Sequence, residues 1–198
     1  RATLEGQIVN AADEIAYTTH DLDDGLRAGL IAPEELAGIA LWEEVLDSVG
    51  IRGEEFTEMN RHRIIRRLIG LEVTDVIEAT NRRLEETGVR SVEEVRALPE
   101  NVVGFSEEMA AKNRELKDFL MANLYRHYRV MRMAAKAKRF ISQLFQAYVS
   151  EPRQLPDHIQ RRLREDNLYR VVCDYIAGMT DRFALEEYKK LFDPYERT

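Results

Sequence analysis

The chain has 198 residues and a net charge of −7, with 33% charged and 44% hydrophobic residues. That apolar share excludes a disordered tail, which has too little surface to bury, and no run approaches the ~18 apolar residues of a membrane span. The single cysteine, Cys173, cannot close an intrachain disulfide.

Five prolines and ten glycines keep helix breakers scarce, so most of the chain can be helical. The first residues, R-A-T-L-E-G-Q-I-V-N, hold no initiator Met, no apolar signal core and no Arg/Ser-rich transit segment. The chain reads as the interior of a longer protein cut upstream. A lone thiol and a missing signal point to a reducing cytoplasm.

Every long segment carries the helical period. From Leu4 to Leu26, the residues Ile8, Ala11, Ile15, Leu22 and Leu26 gather on one side at about 100° per residue. Gly29 ends that helix. Pro33 suits the first turn of the next, which runs to about Ser48, and Gly50 and Gly53 make the following loop. Thr57 caps a long helix to Glu86 that Gly88 closes. Ser91 and Glu94 form a capping box for a short helix ended by Pro99. V-V-G-F at 102–105 is the one strand-like stretch. Helices follow over 107–126 and 129–149, a break comes at Pro152 and Pro156, and further helices cover 157–164, 167–177 and 181–192. Leu168, Val171, Val172, Tyr175, Ile176 and Met179 surround the penultimate helix, which places it in the core, with Cys173 as a core residue. With no repeat or Gly/Ser linker, the expected architecture is a single all-α unit over 1–198.

The informative segment is A-D-E-I-A-Y-T-T-H-D-L-D-D-G-L-R-A-G at 12–29. On a helix Asp13, Tyr17, His20, Asp21 and Asp24 share an arc of about 100°, opposite the apolar stripe. Asp13 and Asp21 stand about 12 Å apart along the axis. One carboxylate can hold a hard metal ion, while the phenol and the second carboxylate can hydrogen-bond a hydroxylated ligand lying along the helix. The same spacing also suits a plain solvated acidic face. His20-Asp21 alone does not make a metal site, because no Cys or other His lies near it in sequence.

Arg61 falls near the middle of the apolar face of the long helix, together with Glu72, while Arg63, Arg66 and Arg67 project away. A charge on such a face needs a partner, so Arg61 is either a pocket residue or a side chain snorkelling to solvent. Arg63, Arg66 and Arg67 suit a solvated face, a subunit contact, or the phosphates of nucleic acid or an effector nucleotide. Arg126, Arg129, Arg132, Lys136, Lys138 and Arg139, with Tyr125 and Tyr128, suit single-stranded nucleic acid or ordinary helix packing. The acidic net charge argues against nucleic acid as the main ligand. Arg182 follows a helix cap at Thr180.

The segment resembles part of the HD-domain deoxynucleoside triphosphate triphosphohydrolases, whose pattern places an Asp, a Tyr four residues on and an Asp four further. Asp13, Tyr17, His20, Asp21, Asp24, Gly25 and Arg27 carry it intact. I-I-R-R-L-I-G at 64–70, N-L-Y-R-H at 123–127, L-F-Q-A-Y at 144–148 and D-Y-I-A-G-M-T-D-R-F-A at 174–184 also resemble the family, in family order. The resemblance implies an all-α, multi-helix HD-domain-like phosphohydrolase fold truncated at the N-terminus, with 1–88 as the last part of the catalytic core and 89–198 as a helical C-terminal region. It implies hydrolysis of a dNTP to deoxynucleoside and triphosphate. It implies a divalent metal ion, Mg or Mn, to which Asp13 is one ligand. Tyr17 and Asp21 match deoxyribose-contacting residues, Arg61 resembles a phosphate-binding position, and Arg182 borders the substrate pocket. The family's catalytic His and its metal-binding His and His-Asp dyad lie upstream, so no catalytic residue falls in this chain. Homo-oligomers, up to hexamers, and an effector dNTP or single-stranded DNA are also implied, with no membrane. The alternatives are a non-catalytic helical module for nucleic acid or oligomerisation, and HD chemistry on another substrate such as a nucleoside monophosphate.

Overall fold

Thr3 starts the first helix by accepting from the Gly6 amide, and α1 runs Leu4–Arg27. The computed structural model describes residues 1–51 and 56–197; Gly53, expected in a loop, lies outside them. Among the described residues there are nine α-helices and no strand, an all-α fold. After α1 the chain turns through Gly29 at φ 61°. The expected helix from Pro33 to Ser48 is interrupted. Pro33–Leu36 is one 3₁₀ turn, Gly38 takes φ 87°, and α2 spans Ala40–Val49. A left-handed residue cannot continue a right-handed helix, so the glycine divides the run.

Helix α3, Glu58–Thr87, has the expected ends: Thr57 accepts from the Asn60 amide at 3.2 Å and Gly88 closes it at φ 63°. Ser91 caps α4 (Val92–Ala97), accepting from Glu94 N at 3.2 Å. Ser106 caps α5 (Glu107–Leu120), which runs into a single π turn, Met121–Tyr125. Then come α6 (Tyr128–Ser150), a 3₁₀ turn at Pro152–Gln154, α7 (Asp157–Arg162), α8 (Leu168–Ala177) and α9 (Asp181–Phe192).

V-V-G-F is not a strand. Side chains satisfy its backbone instead. The fully buried Gln7 accepts from Val102 N at 2.8 Å and Val103 N at 3.1 Å, and Arg83 donates to Val102 O at 3.2 Å and Gly104 O at 2.8 Å. With the Val102 and Val103 amides and the Val102 and Gly104 carbonyls taken by side chains, these groups are not left for a ladder.

The chain forms two compact units, Arg1–His127 and Tyr128–Thr198. The first unit closes just beyond the π turn, and Gly88 lies inside it. Gly88 only ends α3, and beyond it α5 packs against α1 and α2. In the first unit Leu22, Leu36, Leu41, Val45, Ile64, Leu68, Leu116 and Leu120 form one core. In the second, Leu144, Tyr148, Val171, Val172 and Ala184 join α6, α8 and α9. Cys173 is exposed, not in that core. Val171 and Val172 face inward, and one more residue turns the next side chain about 100° away. No described helix is long and apolar enough to cross a membrane.

Candidate functional site

Helix α1 carries two unlike faces. Ile15, Leu22 and Leu26 are buried, while Asp13, Tyr17 and His20 are exposed and Asp21 is half-buried. Tyr17 is 57% exposed, a high value for an aromatic residue in mid-helix. What covers it in part is Tyr125, from the π turn that ends α5. The two rings stack with centroids 6.0 Å apart and planes at 27°. The Tyr125 hydroxyl donates to Asp21 Oδ2, one helical turn beyond Tyr17. Burial first, and then the hydrogen bond to the Asp21 carboxylate, raise the Tyr125 phenol well above its ordinary range, so it stays a donor at neutral pH.

Asp13, Tyr17 and Tyr125 line a cavity of about 400 Å³, which Glu14, Thr18, Lys117, Leu120 and Met121 complete. Lys117 reaches over from α5 and pairs with Glu14. The walls therefore offer two carboxylates, a cation and two phenols with their aromatic faces. That set suits a ligand with hydroxyls, negative charge and a flat or apolar part.

One expected stripe residue departs from its place. Ile8 is 54% exposed and borders a second cavity of about 410 Å³ between α1 and α3, lined by Leu4, Ile15, Val76, Ile77 and Val103, with no titratable side chain among its walls.

Arg61 is 5% exposed, so it is buried and does not snorkel. Its guanidinium pairs with Asp23 of α1. Asp23 is therefore the partner that the apolar position of Arg61 demanded, and the pair ties α3 to α1. Arg63 donates to Val49 O at 3.1 Å and Arg67 to Ser48 Oγ at 3.0 Å, folding two of the outward arginines against the end of α2. Arg182 belongs to the second unit, where its side chain is 90% exposed and pairs with Glu186 at 3.0 Å. Thus Asp13, Tyr17 and Asp21 are gathered along one face, while Arg61 is engaged by Asp23 and Arg182 stands on the other unit.

Glu72, the second charge expected on the apolar face of α3, is fully buried. Asn113 Nδ2 donates to its Oε1 at 2.6 Å. Glu72 Oε2 and Asn113 Oδ1 are both buried with no partner. A proton on Oε2 would let it donate to a neighbouring acceptor, as a neutral acid can. Burial first, and then the charge of Glu14, push the Glu72 carboxyl up to about 8, against the opposing pull of Lys117 and the Asn113 bond.

Among the described residues no three His, Cys, Asp or Glu side chains converge as a metal site would require. Asp13 is a hard oxygen donor at the cavity wall and suits one ligand position, not a complete site.

Sequence reasoning missed Tyr125 as a site residue. It lies 104 positions from Asp21, so no helical spacing could connect the two. Its one signal was membership in the N-L-Y-R-H segment.

With this geometry in place, comparison with known proteins shows what the chain is similar to. Residues 103–190, from the last loop before α5 into α9, match the phosphohydrolase-associated domain. Over nearly its whole length the chain is similar to deoxyguanosinetriphosphate triphosphohydrolase-like proteins. It is 48% identical over 98% of its residues to the one from Geobacter sulfurreducens. The one from Geobacter metallireducens is 46% identical over 98% of the chain, and the one from Deinococcus deserti 42% identical over 98%. The chain covers 51% of each of these relatives, and so spans about half the length of the curated relatives it matches.

Proposed function

We propose that this chain supplies the sugar-facing wall of a deoxynucleoside triphosphate triphosphohydrolase, which converts a dNTP and water to deoxynucleoside and triphosphate. The observation that carries the reading is the alignment of Asp13, Tyr17 and Asp21 along one face of α1, where Asp13 and Tyr17 line a cavity of about 400 Å³. Its support is the kinship with proteins named for that activity. In this reading Tyr17 packs against the deoxyribose ring and Asp21 accepts from its hydroxyl. A phenol this close leaves little room for a 2′-hydroxyl. Lys117 lies within the same walls and offers a cation to the charged end of the ligand. Asp13 contributes one oxygen to a divalent cation, Mg or Mn, whose remaining ligands come from elsewhere in a protein of the relatives' length. Such an ion, when bound, stabilises charge developing on the leaving triphosphate and activates water. Arg61 supports the site from below, through Asp23, by fixing α1 on α3.

The test is product analysis with the protein that carries this chain. Equimolar deoxynucleoside and triphosphate, abolished in Asp13→Ala, support the reading. Undiminished triphosphate release in Asp13→Ala removes the metal role of Asp13. Release of monophosphate or stepwise loss of single phosphates points to HD chemistry on another substrate.

A second reading concerns α6. Its residues 131–139 are all exposed, and the helix carries Arg132, Lys136, Lys138 and Arg139 and no Asp or Glu in its sequence. In this reading the segment binds the phosphates of single-stranded DNA or of an effector dNTP. Affinity for an oligonucleotide that falls steeply with salt, and weakens in Arg132→Ala/Lys136→Ala, supports it. Salt-independent or absent binding removes it.

A further inference from the structure

We propose that Glu72 and Asn113 form a neutral acid–amide pair behind the Lys117–Glu14 wall of the cavity, and that release of its proton loosens the cavity's hold on an anionic ligand. Glu72 is then a positioning residue that acts on the ligand through Lys117. The inference rests on the reading of the cavity as a nucleotide site and adds a pH dependence to it.

Three features of the structure carry it. First, the hydrogen bonds of the pair close only with a proton in place. Glu72 of α3 and Asn113 of α5 are both fully buried. Asn113 Nδ2 donates to Glu72 Oε1 at 2.6 Å, which leaves Glu72 Oε2 and Asn113 Oδ1 as two buried acceptors without a donor. A carboxylate and an amide oxygen offer lone pairs only, so an ionised Glu72 strands both. A proton on Oε2 supplies the missing donor. The carboxyl O–H then donates to the amide oxygen while the amide N–H donates to the carboxyl oxygen, and one proton satisfies two buried atoms. Burial acts in the same direction and lifts the Glu72 carboxyl to about 8, so the proton stays through most of the neutral range and leaves in mild alkali.

Second, the pair lies one helical turn from the cavity. Lys117 follows Asn113 by four residues on α5, so the two share a face. Lys117 lines the cavity and pairs with Glu14 of α1. Glu72 feels both charges: Glu14 opposes its ionisation and Lys117 favours it. The groups that face Glu72 are therefore Glu14 from α1, and Lys117 and Asn113 from α5.

Third, Lys117 is the one cation among the residues of that wall. With Glu72 neutral, its ammonium answers Glu14 and keeps donors for a ligand, since it has three. When Glu72 ionises, a second carboxylate competes for the same ammonium and the wall gains a negative charge. Phosphates that were held there are then repelled. By linkage the reverse also holds. An anion seated at Lys117 makes the Glu72 proton harder to remove, so binding near the midpoint of its titration takes up a proton.

The test is the pH dependence of KM for a dNTP, from about pH 6.5 to about pH 9.5, in the protein that carries this chain and in its Glu72→Gln variant. The glutamine can make both hydrogen bonds to Asn113 and has no proton to lose. KM in the parent should rise about three- to tenfold as pH passes through the titration of Glu72, and that rise should vanish in Glu72→Gln. Infrared difference spectra read the proton itself. At neutral pH the parent should show the carbonyl band of an un-ionised carboxylic acid that Glu72→Gln lacks, and in the parent alone the band should fade in mild alkali. That titration decides the state of the pair even if the variant does not fold. Superimposable KM profiles in parent and variant overturn the linkage, and a missing acid band overturns the neutral pair. An acid band present in a parent that turns over no dNTP overturns the nucleotide reading instead.

Discussion

A tyrosine–carboxylate pair stands in each unit among the described residues, and the surroundings of the two differ. Tyr125 donates to Asp21 at a cavity wall, with Tyr17 stacked on it and open to solvent. Tyr148 donates to Glu187 Oε2 at 2.9 Å from inside a core. It is fully buried, and Tyr175 meets it edge-on at 5.6 Å and 68°. In both, burial first and then the carboxylate raise the phenol above its ordinary range. The chemistry of the two bonds is alike. What separates them is the donor's surroundings: Tyr125 lines a cavity beside the exposed Tyr17, while Tyr148 is fully buried and its carboxylate is also held by Lys190 at 2.9 Å. The same bond therefore marks a site only where a ligand can reach it.

Breaking the core pair should produce the larger effect on stability. Tyr148→Ala removes a fully buried aromatic ring and should destabilise the second unit by about 3–5 kcal/mol. Amide exchange should report faster opening in α6, α8 and α9 (Tyr128–Ser150, Leu168–Ala177, Asp181–Phe192), with α1 and α3 unchanged. Equal acceleration in both units would contradict their separate cores.

Glu72 gives the next effect, and it depends on pH. Its folded-state value of about 8 lies above the ordinary 4.5, so the folded protein holds a proton that the unfolded chain has released. The stability from this group is full below pH 4.5 and is lost as pH rises through about 8. Glu72→Gln keeps a neutral donor and acceptor at that place and removes the titration. Urea denaturation should show the parent losing on the order of a few kcal/mol between pH 5 and 9, with the variant flatter. An unchanged slope in the variant would show that Glu72 is ionised when buried.

Tyr148→Phe against Tyr125→Phe sharpens the comparison directly. The core variant should lose about 1–2 kcal/mol of stability, because Glu187 keeps a desolvated oxygen without its donor. The cavity variant should lose less, since water can replace the phenol, and should change substrate KM instead. The smallest effect belongs to Arg182→Ala. An exposed i,i+4 pair is worth about 0.3–0.5 kcal/mol, and thermal unfolding should barely register it. A marked rise in substrate KM for this variant would place Arg182 at the pocket after all.

The helices and their ends were legible because local chemistry sets them. Thr57 and Gly88 bracket α3 (Glu58–Thr87) as their types require, and the Asp13–Tyr17–Asp21 face follows from spacing alone. Long-range closures were not legible. Nothing near Arg61 or Glu72 in sequence announces Asp23 or Asn113 as partners, although their apolar surroundings announced that each needed one. V-V-G-F has the residues of a strand, but Gln7 and Arg83 reach its backbone first. Gly38 looked like one more small residue in an acidic run, and only its positive φ divides the expected helix in two. Tyr125 escaped for the same reason as Asn113: its meaning lies in what it touches 104 residues away.

The most direct measurement is equilibrium binding of a dNTP and of the matching NTP to the parent protein and to Asp21→Ala, by calorimetry. The parent should bind the dNTP more tightly than the NTP. Asp21→Ala should lose about tenfold or more in dNTP affinity, the cost of a hydrogen bond to a charged acceptor, and much of the difference between the two nucleotides. Equal dNTP affinity in parent and variant, with the preference for deoxyribose intact, would contradict the assignment of this face of α1 to the sugar.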